Sequence, residues 1–347
     1  MTARLKLLRR SILGWYSRTK RDLPWRRTRD PYAIWVSEIM LQQTRVETVV
    51  PYYQRFLTRF PSLISLARAR EPAVLASWSG LGYYRRARNL HAAARMVVRE
   101  HAGRLPSDSD SLALLPGIGP YTAAAIASIA FGRQAAAVDG NVVRVLARIF
   151  GLTGGSDSPT LRREVLRRAE ALSEGPRAGD WTQALMELGA TVCLPRDPVC
   201  GRCPAARFCA ARRSGEPDRF PEASAAKAPR AEDRVLLIAR SGRRVLLVPD
   251  PSDSRATWTL PYARLGRTPL RTARALAARL LGDDVEPSGP RAKFRHRTFS
   301  HSLTYEVWSL DIPSTAEPRD GLWATPKELR KTPVRAHTLK ALRDLDH

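Results

Sequence analysis

Acidic residues, apolar runs and cysteines are all scarce in this chain, and each shortage excludes a class of protein. The 347 residues hold 33 acidic side chains against 58 lysines and arginines, which gives a formal net charge of +25. No apolar run approaches the length of a membrane span. The four cysteines all lie between 193 and 209, which argues against a disulfide scaffold. The charge favours a polyanionic partner, with nucleic acid preferred over an anionic membrane surface.

The length and the patterning predict two domains. Residues 1–213 show mainly helical patterns, including helices at Pro51–Arg59 and Leu161–Leu172. A polar, proline-bearing linker is predicted at 214–231, and residues 232–347 are expected to fold separately. The N-terminal segment MTARLKLLRRSILGWYSRTK has no long apolar core and is predicted to form an amphipathic helix. We therefore expect a monomer in the bacterial cytosol.

The stretch Leu115–Asn141 contains the pattern around which the helical part is organised. Pro116 ends a short helix, and Gly117 and Gly119 are expected to supply positive φ angles in a tight turn. The next helix starts at about Pro120, where its free N–H groups and its dipole favour an anion. A duplex phosphate would suit so basic a chain. The alternative is an ordinary turn between packed helices.

Two carboxylates near this stretch are candidate catalytic groups. Asp139 precedes the predicted helix Val142–Phe150, where it either only caps the helix or also faces the sugar of a bound strand. Glu38 lies among apolar residues on the predicted helix Tyr32–Thr44. Burial there would raise the pKa of Glu38 and keep it protonated near neutrality, whereas a solvated glutamate is the alternative.

Polar and aromatic residues at helix ends are candidate DNA contacts. Gln42 and Gln43 have no obvious capping role and could touch base edges or only water. Tyr83 and Tyr84 follow a glycine turn in GLGYYRRAR, next to three arginines. Aromatic side chains beside arginines suit a base step that is wedged open while phosphates are held. A tyrosine packed on its own helix is the alternative.

The four cysteines are spaced C-x6-C-x2-C-x5-C, which is typical of a metal centre. Clustered thiolates in a chain without an export signal are better explained by one metal site than by disulfides. Zinc and a [4Fe–4S] cluster both accept four cysteines. Zinc ribbons usually contain two C-x-x-C knuckles and this segment contains one, so the spacing favours iron–sulfur. The predicted metal ligands are Cys193, Cys200, Cys203 and Cys209.

Beyond the linker the hydrophobic period changes from helical to strand-like. Short apolar strands are predicted at Val235–Ile238 and Val245–Val248, with Ser241-Gly242 as the hairpin signal between them. An alanine-rich helix is predicted at Leu270–Leu281 and a further strand at Leu303–Leu310. This part is therefore expected to be an α+β domain.

The motifs of residues 8–213 resemble, in order, those of the adenine DNA glycosylase family within the helix-hairpin-helix superfamily. They are LPWR, DPY, WVSEIMLQQT, GLGYYRRARNLH, LPGIGPYT, VDGNVVRVLAR, MELGA and the cysteine spacing. The resemblance implies a mainly α helix-hairpin-helix domain with an iron–sulfur loop, followed by a smaller α+β Nudix-like domain. It also implies base excision repair, by hydrolysis of the N-glycosidic bond of adenine mispaired with 8-oxoguanine or guanine in duplex DNA.

The same resemblance implies residue roles. Glu38 would be the general acid at the adenine ring, and Asp139 would face the deoxyribose. Tyr121 and Asn141 would support the site, and its pocket would be lined or flanked by Trp25, Arg26, Leu41 and Glu187. Gln43 and Tyr83 would wedge beside the lesion base. The residues expected to contact 8-oxoguanine are Phe299, Ser300 and His301. A loop packed on its own strand is the alternative for the last three.

Lysine is absent between residues 21 and 226, and this bears on strand cleavage. Related lyases use a lysine amine as a Schiff-base nucleophile, and Tyr121 occupies the position where they carry it. We therefore expect a monofunctional glycosylase, with the N-terminal amine left open as a weak substitute.

The helix Leu270–Leu281 contains no glutamate, so the second domain should recognise rather than hydrolyse. The rival functions are an endonuclease III-like pyrimidine glycosylase and lyase, and a catalytically silent DNA-binding protein.

Overall fold

The fold is described from a computed structural model covering residues 2–222, 229–251, 257–282, 285–298, 301–313, 317–329 and 332–343. Two compact units divide these residues. The first, here called the helical unit, draws on 1–68 and 89–226, and the second, the sheet unit, on 69–88 and 227–347. The sheet unit is therefore discontinuous in sequence. No helix in the described part of the chain is long and apolar enough to span a membrane.

Helices account for most of the first 213 residues, as the sequence predicts. They are α1 Ala3–Thr19, α2 Pro31–Leu41, α3 Val46–Arg59, α4 Leu63–Arg68, α5 Glu71–Ser77, α6 Arg85–Glu100, α7 Ser109–Ala113, α8 Pro120–Phe131, α9 Gly140–Phe150, α10 Pro159–Ser173, α11 Ala178–Thr191 and α12 Ala210–Arg213.

The helix predicted at Pro51–Arg59 starts earlier than expected. It begins at Val46 and carries Pro51 inside it. Pro51 lies in the second turn, so the helix loses one hydrogen bond and continues. Its face with Val49, Tyr53 and Phe56 is buried, and this packing outweighs the lost bond.

Local sequence features set the start of α2 and both ends of α8. Asp30 caps α2, where its carboxylate accepts the Tyr32 and Ala33 backbone N–H groups. Pro120 is the first residue of α8, and Gly132 ends it in the left-handed conformation at φ 69°. Both helices are apolar nearly all round, and they pack against each other while α8 also packs on α11. This arrangement positions the candidate site.

One hydrophobic core of the helical unit is shared by α1, α9, α10 and α11. Its largest buried members are Tyr16, Trp181 and the aliphatic residues of α9 such as Leu146. Cys193 and Cys203 pack at its edge. The cysteine segment is thus attached to the same hydrophobic core that holds the start of α9.

The sheet unit is α+β, as predicted. Its strands are β1 Arg230–Ser241, β2 Arg244–Pro249, β3 Trp258–Thr259, β4 Tyr262–Arg264, β5 Ser288–Arg297, β6 His301–Asp311 and β7 Leu322–Ala324. The further helices are α13 Pro269–Leu281, α14 Pro326–Leu329 and α15 Ala336–Arg343. The predicted hairpin is confirmed, because β1 and β2 pair antiparallel with Ser241 opposite Arg244.

One mixed sheet in the order β3-β2-β1-β6-β5 organises this unit, with β4 paired to β1 and β7 to β2. β1 and β6 run parallel, and the other strand pairs are antiparallel. α13 covers the face that carries Val235 and Leu310, and α15 packs on the opposite face, which carries Leu236 and Tyr305. The sequence did not predict β5, whose alternate residues are cationic.

Candidate active site

One cavity of about 260 Å³ in the helical unit brings together eight of the predicted site residues. They are Trp25, Arg26, Glu38, Leu41, Tyr121, Asp139, Asn141 and Glu187. These residues are spread over 163 positions of sequence and come from the ends of α2, α8, α9 and α11 and from the 3₁₀ turn Pro24–Arg26. Glu38 and Asp139 therefore face one shared space, as the sequence analysis requires.

Glu38 is a buried carboxyl on α2, with 6% of its surface exposed. Burial is the main cause that raises its pKa to about 7, and the negative charge of Asp139 adds to the shift. The Tyr121 hydroxyl donates a hydrogen bond to Glu38 Oε2 at 3.3 Å, and this bond partly offsets the rise in the pKa of Glu38. The Tyr121 hydroxyl also lies 3.8 Å from the sulfur of Met186. Glu38 is therefore poised to exchange a proton near neutral pH.

Asp139 caps α9 and also lines the cavity, and its role at the sugar of a bound strand stays a prediction. Its Oδ1 accepts the Val142 backbone N–H at 2.7 Å, and its Oδ2 accepts the Asn141 amide at 2.9 Å. Both partner groups donate hydrogen bonds, so they compensate negative charge on the Asp139 carboxylate. The cap fixes the direction in which this carboxylate points.

Arg144 holds the Asn141 amide in place from the next turn of α9. Its Nη2 donates to Asn141 Oδ1 at 2.9 Å and to the Gly189 carbonyl at 2.8 Å, and its Nε donates to the Cys193 carbonyl at 2.8 Å. A continuous set of hydrogen bonds therefore links the cysteine segment to Asp139. No local pattern indicates Arg144, because its contacts with Gly189 and Cys193 are long-range in the chain.

Glu187 lies in the same cavity in the opposite electrostatic setting. Burial alone would raise its pKa, but hydrogen bonds from Arg21 and Arg26 overcome this effect and hold the pKa at about 2. Arg21 makes two side-chain hydrogen bonds to the carboxylate, at 2.8 and 2.9 Å, and Arg26 makes one at 2.7 Å. Arg21 was not predicted, although it lies only two residues before the LPWR segment.

The glycine turn before α8 forms as predicted, with one correction. Gly117 has φ 79°, and a Cβ there would lie 2.6 Å from the Asn89 Cβ, so only glycine fits. Gly119 has φ −87°, so the prediction of a positive φ at this residue is wrong. A Cβ at Gly119 would meet nothing within 4 Å, because the space above the turn is open. The start of α8 has no side-chain cap.

Gln43 and Tyr83, the predicted wedge residues, both have left-handed backbones, with φ 58° and 50°. Non-glycine residues rarely adopt this conformation, and it clusters at functional sites. Tyr83 is 43% exposed, whereas its neighbour Tyr84 is buried and donates to the Val334 carbonyl at 2.6 Å. Gln42 donates its amide to Thr122 at 3.2 Å.

The four cysteines line one small pocket and form no disulfide with each other. Burial raises the pKa of Cys203 to about 11. Arg148, a buried residue of α9, donates toward the Cys193 sulfur at 3.5 Å and to the Leu194 and Pro195 carbonyls. It also donates to the Phe220 carbonyl and the Asp218 carboxylate, so the cysteine segment is tied to residues 217–220. Those residues lie within the predicted linker, whose bounds stay a prediction.

Of the three residues that by resemblance contact the lesion base, the structure describes one. His301 begins β6, and its backbone N–H donates to the Thr298 hydroxyl at 3.0 Å. Phe299 and Ser300 lie outside the described residues.

Comparison with known proteins agrees with this geometry. Residues 36–170 match the HhH-GPD superfamily of base excision DNA repair proteins. The human adenine DNA glycosylase is 35% identical over 98% of this chain and 74% of its own length, and the mouse protein is 36% identical over 96% and 77%.

Solved structures show the same fold for the helical part. A thermostable thymine-DNA glycosylase superposes with a TM-score of 0.56 at 33% identity, covering 60% of this chain and 97% of its own. An endonuclease III–DNA covalent intermediate superposes with a TM-score of 0.51 at 22% identity, covering 62% and 99%. The chain belongs to the adenine DNA glycosylase family and is a DNA-binding glycosylase of base excision repair.

Proposed function

We propose that the chain hydrolyses the N-glycosidic bond of adenine mispaired with 8-oxoguanine or guanine. The observation that carries this proposal is the cavity shared by Glu38 and Asp139, in which burial raises the pKa of Glu38 to about 7. The target base must leave the stack to enter such a cavity, and a mispair lowers that cost. The names of the related proteins support adenine as that base.

The two carboxyls would act on opposite ends of the breaking bond. Protonated Glu38 gives its proton to a ring nitrogen of adenine, which takes the bonding electron pair as it leaves. Ionised Asp139 stabilises the positive charge that develops on the deoxyribose. Water then adds its oxygen to the sugar carbon, and its proton returns to a carboxylate. Arg21 and Arg26 hold Glu187 by charge-assisted hydrogen bonds, which would fix this carboxylate at the wall of the cavity that receives the base.

We further propose that the enzyme does not cut the strand. The residues that line the cavity include no lysine. Tyr121 stands where the lyases carry their amine, and its hydroxyl is directed to Glu38 instead. Without an amine at the sugar carbon, no Schiff base forms and the abasic product stays intact.

One assay separates this function from its rivals. A labelled duplex with adenine opposite 8-oxoguanine is incubated with the enzyme and analysed with and without alkali. We expect strand cleavage only after alkali, since alkali breaks the abasic site that base release leaves. Cleavage without alkali would support the lyase, and no cleavage in either arm would support a silent DNA-binding protein. A duplex with guanine in place of 8-oxoguanine tests the second mispair.

We also propose that the four cysteines hold a [4Fe–4S] cluster that stabilises the helical unit. Four free thiols in one apolar pocket suit such a centre. Among the residues described, no three His, Cys, Asp or Glu side chains are placed to hold a single metal ion. A zinc ion needs all four sulfurs about 2.3 Å from one point, whereas a cluster of four irons separates them. Iron and zinc analysis of the purified protein tests this, and stoichiometric zinc without iron would contradict it.

A further inference from the structure

A second cavity of the helical unit, of about 300 Å³, lies between the start of α1, the end of α9, α10 and α12. Its floor is apolar and is formed by Leu5, Leu8, Ile149, Phe150 and Phe208. Three of these side chains belong to the buried core of this unit, and the other two pack against that core. Core packing therefore holds the floor in place before any ligand arrives. The cavity shares no lining residue with the candidate active site.

Three arginines surround this floor and are called the cationic rim: Arg4 of α1, Arg168 of α10 and Arg213 of α12. Arg4 and Arg213 are exposed, and neither forms an ion pair with a carboxylate within the described part of the chain. The Arg168 guanidinium lies over the Phe150 ring, 4.8 Å from its centroid, and its Nε donates to Glu164 at 2.9 Å. No acidic side chain among the described residues lines the cavity itself. The rim therefore keeps an excess of positive charge around an apolar floor.

We propose that this cavity docks an acidic peptide segment of a partner protein, with one large apolar side chain of the peptide on the floor. The carboxylates of the peptide pair with the rim, where an arginine can bind a carboxylate through two parallel hydrogen bonds. The rim arginines come from three separate helices, and a chain with several carboxylates can reach all of them, unlike a single small anion. A filled apolar pocket surrounded by polar contacts is a common anchor of protein–protein interfaces.

The apolar floor distinguishes this partner from duplex DNA. A duplex backbone offers phosphate and sugar oxygens but no large apolar group, so a duplex on the rim would leave the floor uncovered. An acidic peptide with an apolar side chain matches both the charge of the rim and the chemistry of the floor. The inference is independent of the proposed function, because no residue of this cavity belongs to the candidate active site.

Binding of defined peptides to the full chain tests the proposal. The probe is a short fluorescein-labelled peptide of aspartates with one central phenylalanine, and its control carries alanine there at the same net charge. Fluorescence anisotropy is measured at about 150 mM salt, which screens non-specific attraction to so basic a chain. We expect the phenylalanine peptide to bind about tenfold more tightly or better, because burial of its ring adds to the charge pairing. Equal affinities of the two peptides, or no binding of either, would overturn the proposal.

Variants of the rim test whether the peptide occupies this cavity. Arg4→Gln/Arg213→Gln should weaken binding of the phenylalanine peptide by about tenfold or more, whereas Arg4→Lys/Arg213→Lys keeps both charges and should lose less. The matched control Arg10→Gln/Arg163→Gln removes the same charge from exposed positions of α1 and α10 that do not line the cavity. Its affinity for the peptide should stay within about twofold of wild type. Equal losses for the glutamine rim variant and this control would contradict docking in the cavity.

An excess of a short duplex with adenine opposite guanine tests nucleic acid as the occupant. We expect the peptide to stay bound, and displacement of the peptide would assign the cavity to DNA instead. Base release by Arg4→Gln/Arg213→Gln should equal that of wild type, and slower release with unchanged peptide affinity would place these arginines at the substrate. If no chain releases adenine but the peptides bind in the expected order, the proposed function fails and the docking site stands.

Discussion

At the scale of single residues, two buried carboxyls in one cavity have opposite electrostatic environments. Glu38 meets a phenol and another acid, and its pKa is about 7, whereas Glu187 meets two guanidinium groups, and its pKa is about 2. Their burial is similar, at 6% and 1% exposed. Their partners therefore decide which carboxyl serves as an acid and which as a fixed anion.

Glu38→Gln should stabilise the protein, and more so at high pH. The raised pKa means that Glu38 stays neutral in the folded state up to about pH 7 and must ionise in the cavity above it. The cost to the folded state builds up between about pH 4.5 and about pH 7, where only the unfolded chain ionises, and it reaches about 3 kcal/mol above that range. Unfolding at about pH 5 and about pH 9 measures this, and we expect the variant's advantage in stability to be clearly larger at the higher pH.

Glu187→Gln is the control of opposite sign. Its lowered pKa means that the ionised form contributes stability above the ordinary value of 4.5 and loses it as pH falls toward 2. The glutamine variant should therefore be less stable than wild type near neutrality, and the difference should shrink in acid. A pH-independent effect of Glu38→Gln would contradict this account of the cavity.

At the scale of elements, α9 connects the candidate site to the cysteine segment. It begins at the Asp139 cap, carries Arg144 in its second turn and ends beyond Arg148. Both arginines donate to the backbone of the cysteine segment. The helix therefore couples the position of that segment to the position of the Asp139 carboxylate.

Two substitutions separate the capping role of Asp139 from the catalytic role that we propose for it. Asp139→Asn keeps a capping oxygen, so the variant should fold and bind duplex while base release falls by about a thousandfold or more. Asp139→Ala removes the cap as well and should cost about 1 kcal/mol of stability. Single-turnover kinetics and thermal unfolding measure the two effects. Near-normal turnover by the asparagine variant would refute the catalytic role.

Arg148→Leu should destabilise the helical unit by about 3 kcal/mol or more. The substitution leaves several backbone carbonyl groups, which now accept hydrogen bonds from the guanidinium, without a donor. Denaturant unfolding of the full chain measures the shift. Arg163→Leu, at an exposed position of α10, is the matched control and should change stability little. Equal shifts for the two variants would show that the Arg148 contacts add no stability.

Local sequence patterns were enough to predict the helices and turns around the site. The roles that depend on contacts between distant residues could not be predicted in this way. The caps at Asp30 and Asp139 and the turn at Gly117 are encoded within a few residues. The roles of Arg21 and Arg144 depend on partners far away in the chain, so no local pattern indicates them. The β5 strand was missed because its exposed face is cationic and its apolar alternation is short.

At the scale of the whole molecule, the net charge of +25 is distributed over both units. The helical unit contributes the site, and the sheet unit includes residues 69–88, among them Tyr83 with its left-handed backbone. The sequence predicted a boundary near residue 213, but it gave no sign that an early segment would belong to the later unit. That grouping depends on tertiary contacts such as Tyr84 with Val334.

Duplex affinity should fall steeply with salt. If the chain contacts about six phosphates or more, affinity drops by about a thousandfold between 50 and 200 mM salt. Asp139→Asn with a mispaired duplex allows equilibrium titration without turnover. An affinity that is independent of salt would show that the charge serves another purpose.

The pH dependence of adenine release tests the central claim most directly. Single-turnover rates on a duplex with adenine opposite 8-oxoguanine are measured from about pH 5 to about pH 9 for wild type and Glu38→Gln. We predict that the wild-type rate falls about tenfold per pH unit above about 7, because the acid becomes ionised, and that the variant is slow throughout. A wild-type rate that stays constant to the highest pH, or a variant that matches wild type, would contradict the account.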